Sequence, residues 1–354
     1  MALPEPGVLS PEEARTLRGP HADGMRCAGC GAKVAADVLS QALRRLNIDA
    51  SDDAAVVQMP TDCRLVLSVD AFRPIVEDPW VFGRIAANHC LNDLYAMAAQ
   101  PQWVLAQVTL PAWAQAKLSE ELYQMLAGAI DVFSAAGATL VGGHTGEGAE
   151  VTLGFTVAGT AGEQQVKTKT GHQPGDVLVL TKPLGTGCLF AADMRAQARA
   201  PWVAAAIDTM CLANDAAANV LAAHAAHAVT DITGFGLAGH LFETIGEDPL
   251  QLILSLADLP LLPGAMDVLE RGWQSSLHVA NQRWVQAHVS HSDAAAAIVF
   301  DPQTAGPLVA SLPADQADAA VAALRTAGYQ HAAIIGSVAE REPGDAIRIS
   351  LADD

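Results

Sequence analysis

Asp70, Asp93 and Asp231 each stand where an apolar run breaks into a loop or a polar helix face, and a tight Cys27-Ala-Gly-Cys30-Gly-Ala-Lys33 turn precedes them. Oxygen-rich acidic positions suit Mg²⁺ holding a polyphosphate, whereas a thiolate beside a lysine suits an electrophile or a chalcogen. The pairing points to metal-phosphate chemistry coupled to a soft nucleophile.

Glycines flank Cys30 and free the backbone for close approach to a ligand, while Lys33 and the helix start that follows would both favour a thiolate. The same spacing also fits two small buried cysteines or half of a metal site. Asp52 and Asp53 open an Ala-Ala-Val-Val strand and Asp70 ends another. Asp93 falls on a helix where it shares a face with His89, as Arg84, Asn88 and Asn92 share another; from spacing alone such a polar face is expected to be solvated rather than to line a site. Asp231 differs, because Val229-Thr-Asp231-Ile-Thr-Gly-Phe-Gly236 puts an acid at a strand end before a glycine-rich turn and a helix, where α/β proteins bind ligands. Two glycine segments, Gly142-Gly143-His144 and Gly185-Thr-Gly187, could wrap phosphate through their amides or serve as tight connections. Neither a P-loop nor a dinucleotide fingerprint is present.

The elements that must position these residues alternate. Apolar positions from Val34 to Leu46 recur at helical spacing, which puts Lys33 at a first helical turn. Arg64 to Asp70 reads as a strand, followed by a helix over roughly 80–98. Strand-like runs recur at 103–110, 138–142 and 150–159, with a helix at about 115–136, giving an α/β expectation. A polar Gly/Pro segment at 162–175 marks a domain boundary. Beyond it, strands are expected near 176–181, 227–231, 251–257, 306–311 and 331–338, and helices near 187–198, 203–222 and 234–246.

The chain has 354 residues, 51% of them hydrophobic, enough for two domains of ordinary size. A formal charge of −19 argues against a nucleic-acid or anionic membrane partner, so an anionic substrate would need bridging cations. There is no signal-like start and no apolar run long enough to cross a bilayer, so the expectation is a soluble cytoplasmic protein. Six cysteines with one close pair indicate reduced thiols rather than a disulfide framework. Residues 1–24, with four prolines and little periodicity, read as a flexible leader.

Taken in order, Ala28-Gly-Cys30-Gly-Ala-Lys33, Asp52-Asp53-Ala-Ala-Val, Ser68-Val-Asp70 through Pro79, Phe82-Gly-Arg-Ile-Ala-Ala-Asn88, Gly142-Gly-His144, Thr181 through Gly187, Thr230-Asp231 through His240 and Asp301-Pro-Gln-Thr304 resemble the selenophosphate synthetase (selenide, water dikinase) family. That family sits within a larger one that includes aminoimidazole ribonucleotide synthetase, thiamine-monophosphate kinase and hydrogenase-maturation dehydratases. The resemblance runs from about Met25 to the C-terminal strands.

It implies a two-domain α/β (α+β) fold of the aminoimidazole ribonucleotide synthetase type, divided at 25–161 and 162–354. An N-terminal mixed sheet would pair across a homodimer, and ATP would lie between the domains. The implied reaction converts ATP, selenide and water to selenophosphate, AMP and phosphate. By the same resemblance, Asp53, Asp70, Asp93 and Asp231 would bind Mg²⁺ and Cys30 and Lys33 would be catalytic. Lys33, Asp53, Asp70, Asn88, Asp93, Gly142, Gly143 and His144 would hold the nucleotide. The leader resembles versions of this domain that follow a flavin-dependent oxidoreductase, an expected partner. The chain departs from the pattern at Cys27, at Ala32, at Thr145-Gly-Glu-Gly and at Ala305-Gly-Pro307, where Ser-Gly-Gly is usual. The competing expectations are an ATP-dependent phosphotransferase of the same fold acting on another small molecule, and a nucleotide-binding, redox-responsive subunit without turnover.

Overall fold

The computed structural model describes Gly29 and residues 55–58, 63–162, 165–290 and 295–352. The leader, the helix expected from Val34, and Cys30, Lys33, Asp52 and Asp53 lie outside the described residues.

The first sheet contains β1 (Ala55–Gln58), β2 (Cys63–Phe72), β3 (Gln100–Leu110), β4 (Thr139–Glu147) and β5 (Thr152–Gly162), in the order β1-β2-β5-β3-β4. Only β3 and β4 run parallel, so the sheet is mixed. Helices α1 (Pro79–Ala96) and α2 (Gln115–Ala135) cover one face. The second sheet contains β6 (Asp176–Leu180), β7 (Ala228–Asp231), β8 (Leu250–Ser255), β9 (Leu308–Pro313), β10 (Ala333–Glu340) and β11 (Ile349–Ala352), in the order β11-β8-β10-β6-β9-β7. No helix among the described residues is long and apolar enough to cross a membrane.

Between Leu180 and Leu308 the chain forms α3 (Thr186–Asp193), α4 (Ala200–Cys211), α5 (Asp215–Ala223), α6 (Gly236–Ile245), α7 (Ala265–Glu270), α8 (His278–Val285) and a 3-10 turn at Ala295–Phe300; α9 (Ala314–Thr326) follows β9. The periodicity that suggests one helix over 203–222 is thus broken at residues 212–214. The short helices α7 and α8, the longer α9 and strand β11 have no counterpart in the sequence reading. The glycine-rich stretch after residue 142 continues as strand β4 in register with β3 through Glu147 instead of turning.

Helix α1 is the element on which both halves pack. Asp78 caps it, accepting from Trp80 N at 2.9 Å and Val81 N at 3.0 Å, and Pro79 needs no partner for an amide at the first position. Ile85 joins the core of the second sheet, Leu91 and Leu94 join that of the first, and Ala96 joins a third cluster under β9 and α9. The polar face expected to be solvated is therefore enclosed: Asn88, His89 and Asn92 are each 1% exposed. With apolar partners on two sides, the polar residues of the helix fall at the seam between the sheets.

The crossing of α1 and α2 is set by two glycines facing each other's backbone. A Cβ on Gly83 would stand 2.0 Å from the Met125 carbonyl oxygen, and one on Gly128 would stand 2.0 Å from that of Trp80. We expect Gly128→Ala to force the helices apart and lower the unfolding free energy by about 1–3 kcal/mol, the usual range for overpacking, as read from denaturant titration.

Candidate functional site

Asp70, near the end of β2, is turned toward α1: the register aligns it with Phe155 and Ala106, both buried beneath the helices, while its neighbours Val69 and Ala71 are exposed. His89 Nε2 lies 3.5 Å from Asp70 Oδ2. One turn along α1, Asp93 accepts a short hydrogen bond from the Ser68 hydroxyl, two residues before Asp70 on the same strand. Two of the predicted acids thus meet where β2 faces α1, each held by a side chain of the other element.

The second half closes on this pair through the loop at 301–307. The Ala305 N–H donates to His89 Nδ1 at 2.9 Å, and the Gly306 carbonyl accepts from Asn92 and from Asn214, at 3.4 and 2.9 Å. Ala305 holds a left-handed φ of 46° although it is fully buried. The Ala305 carbonyl accepts from Lys182 Nζ at 3.2 Å, and the same ammonium donates to the Leu212 carbonyl at 2.6 Å. Complete burial lowers the Lys182 pKa to about 7, and the opposing pull comes first from the charge of Asp231. Contacts therefore link Asp70 through His89 and Ala305 to Lys182, and Lys182 feels the charge of Asp231, the third predicted acid, which ends β7 and is 3% exposed.

The loop itself is fastened by Gln303. Its Oε1 accepts from Gly185 N, Thr186 N and Thr186 Oγ1 at 3.0–3.1 Å, and its amide nitrogen donates to the Asp301 carboxylate at 3.1 Å. Asp301 Oδ2 accepts from Cys188 N at 3.0 Å, and burial lifts its pKa to about 7. The amides at the start of α3 are thus spent inside the protein, so Gly185 to Gly187 form a tight connection and not a phosphate wrap. Thr304 meets the thiol loop: a Cβ on Gly29 would stand 2.6 Å from Thr304 Oγ1, and Gly29 N donates to the Arg73 carbonyl. Gly29 has a φ of +56°, so glycine is required there on both counts, and Cys30 is the next residue in the chain.

Asn88 takes a different part. Its amide donates to the Met210 and Cys211 carbonyls at 3.3 and 2.9 Å. Lys182 takes the Leu212 carbonyl, and the Tyr329 hydroxyl donates to that of Ala213 at 2.7 Å. These donors satisfy the carbonyls released where α4 stops, which explains a helix break that periodicity cannot show. Gly142, Gly143 and His144 lie on edge strand β4 and are exposed. Gly143 is in the row of Asp70, three strand spacings away, or about 14 Å. A single chain does not bring this segment to the acids.

Lys182, Asp301, Gln303 and Thr304 stood inside recognised motifs without an assigned task, and His89 stood one residue beyond one; the available signal was position, since Lys182 follows strand β6 as Asp231 ends β7. Among the described residues, no three His, Cys, Asp or Glu side chains form a ready-made metal cage. Carboxylates spread over β2, α1 and β7 suit Mg²⁺, which binds through one or two protein carboxylates plus substrate phosphates.

The model for the N-terminal domain of AIR synthase related proteins matches residues 51–161, and that for the C-terminal domain matches residues 173–348. The chain is 37% identical over 327 residues to the selenide, water dikinase of Desulfitobacterium hafniense strain Y51, covering 89% of this chain and 95% of that relative. It is 35% identical to that of Pelobacter propionicus, covering 88% and 93%. Thiamine monophosphate kinase from Aquifex aeolicus superposes with a TM-score of 0.64 at 15% identity, over 89% of this chain and 96% of the other. The hydrogenase maturation protein HypE in complex with ATP gives 0.63 at 18%, over 91% and 92%. At these identities the two structures establish the fold.

Replacing Lys182 by methionine would leave the Leu212 and Ala305 carbonyls without this buried ammonium donor. The expected loss is about 3 kcal/mol of unfolding free energy, measured by chemical denaturation.

Proposed function

The chain belongs to the selenide, water dikinase family, within the AIR synthase related proteins, and makes selenophosphate from selenide, ATP and water; from that premise we propose which of its residues do so. Asp70, Asp93 and Asp231, with Asp53, are the acids that hold Mg²⁺ against the triphosphate. Bound there, Mg²⁺ would neutralise phosphate charge and polarise the phosphoryl oxygens. The observation that carries this reading is that Asp70 and Asp93 come together where β2 faces α1, and that the half bearing Asp231 is tied to the same histidine through Ala305.

Cys30 follows directly on Gly29, which packs against Thr304 of that seam, and Lys33 lies three residues beyond Cys30 in the chain. In our reading Lys33 offsets charge on the transferring phosphoryl group and Cys30 receives and orients the selenium. Asn88 contributes to nucleotide binding from α1 by keeping the α4–α5 break in place. AMP and phosphate leave with selenophosphate.

A homodimer is the assembly we propose, with the open face of the first sheet as its contact. Val69, Trp103 and Leu105 lie on that face in aligned positions and are 60%, 47% and 47% exposed, an apolar surface that water disfavours. His144, opposite Gln107 in the register, lies on the same face, so the part of Gly142, Gly143 and His144 in holding ATP is proposed across that interface. The two unshared sheets support the division at residues 161 and 162. The cytoplasm is the proposed location, and a flavin-dependent oxidoreductase the proposed partner, supported by the proline-rich leader.

Phosphorus NMR of the protein with ATP, Mg²⁺ and selenide under anaerobic conditions should show selenophosphate and AMP. Cys30→Ser should abolish selenide-dependent turnover while Mg-ATP binding stays measurable; loss of both together would contradict the division of roles, and conversion to ADP alone would indicate a simple kinase. Trp103→Glu should turn a dimer into a monomer in light scattering coupled to gel filtration; an unchanged mass would place the contact elsewhere.

A further inference from the structure

We infer that His89 is a positioning residue that sets the rotation of the Asp70 carboxylate and makes it depend on the closure of the second half of the protein. The ring accepts the Ala305 N–H at Nδ1, at 2.9 Å, so that nitrogen carries no proton. The single ring N–H of the neutral imidazole is thereby assigned to Nε2, the atom 3.5 Å from Asp70 Oδ2. At that separation the N–H steers the carboxylate electrostatically rather than through a short hydrogen bond.

The ring has no room to turn. It is 1% exposed and meets Phe72 edge-on, with centroids 4.9 Å apart and an interplanar angle of 81°. Moving the proton from Nε2 to Nδ1 would set one N–H against another at Ala305 and leave a bare nitrogen facing a carboxylate. The place of the 301–307 loop is therefore coupled to Asp70 through one imidazole, and the same loop carries Thr304, on which Gly29 packs. An acid whose orientation is set in this way presents its oxygens to a cation in one geometry, as partners behind metal-binding groups commonly arrange.

This inference rests on Asp70 holding metal-bound phosphate, and the test separates the two. Asparagine at 89 retains an acceptor near the Nδ1 position but loses the donor facing Asp70; glutamine retains a donor near Nε2 but loses the acceptor for Ala305. Calorimetric titration of the full chain with ATP across a Mg²⁺ series should show His89→Asn needing about tenfold more Mg²⁺ for half-maximal binding, with His89→Gln within about twofold of the parent. Thermal unfolding without nucleotide should show the reverse order, His89→Asn staying within about 2 °C of the parent and His89→Gln melting lower. If Asp70→Asn shifts the Mg²⁺ requirement strongly while His89→Asn does not, the positioning role is wrong and the reading of Asp70 stands. Parallel losses of stability and Mg²⁺ dependence in both His89 variants would make the histidine merely structural. If Asp70→Asn leaves the requirement unchanged, the reading of Asp70 fails and the role of His89 falls with it.

Discussion

The peptide of Ala305 is the point on which the arrangement of this protein turns. Its N–H goes to His89 on α1 and its carbonyl receives Lys182 from just after β6, so one residue of the second half is tied both to the first half and to the second sheet. Reaching both partners requires the left-handed φ of 46°, a conformation that costs an alanine about 1–2 kcal/mol. Two buried hydrogen bonds, one from a lysine ammonium, are of a size to offset it. A peptide free of those two partners would have no reason to hold that shape.

Around this peptide the protein encloses polar groups that water would otherwise hold. Asn88, His89 and Asn92 are buried on α1 and Asn214 at the start of α5; the asparagine donors are directed to carbonyls released by irregular backbone at 210–213 and at Gly306, and His89 accepts the Ala305 N–H. Lys182 and Asp301, both fully buried, are brought from opposite directions to a pKa of about 7, because desolvation disfavours either charge. Such a seam tolerates charge only where partners stand close, and the Lys182 ammonium has two carbonyls within 3.2 Å. A chain with a formal charge of −19 can gather carboxylates at one place on these terms, leaving Mg²⁺ to be supplied with the substrate.

Much of this was legible before any coordinates. The strands ending near Asp70 and Asp231, the helix carrying Asp93 and the change of character at 162–175 follow from apolar alternation and Gly/Pro punctuation, which report local structure directly. The failures share one cause. A helix pattern over 203–222 looks continuous because the donors that permit its interruption, on Asn88, Lys182 and Tyr329, are distant in sequence. Glycines at 142–146 suggest a turn, yet they extend a strand because β3 offers a parallel partner that local composition does not reveal. The polar stripe of α1 looks solvated until a second layer is packed on it.

By itself, then, the sequence determined the residue types of the site, their order in recognisable segments, the α/β alternation and the family, all of which depend on neighbours within a few positions or on matched motifs. The tertiary structure alone decided that His89 faces Asp70, that Lys182 reaches the Ala305 carbonyl, that the amides of Gly185 and Thr186 are spent on Gln303, and that His144 lies across the sheet from the acids. Those relations join residues up to 123 positions apart. They arise because buried donors and acceptors must be paired, and the partners are chosen by packing instead of by adjacency in the chain.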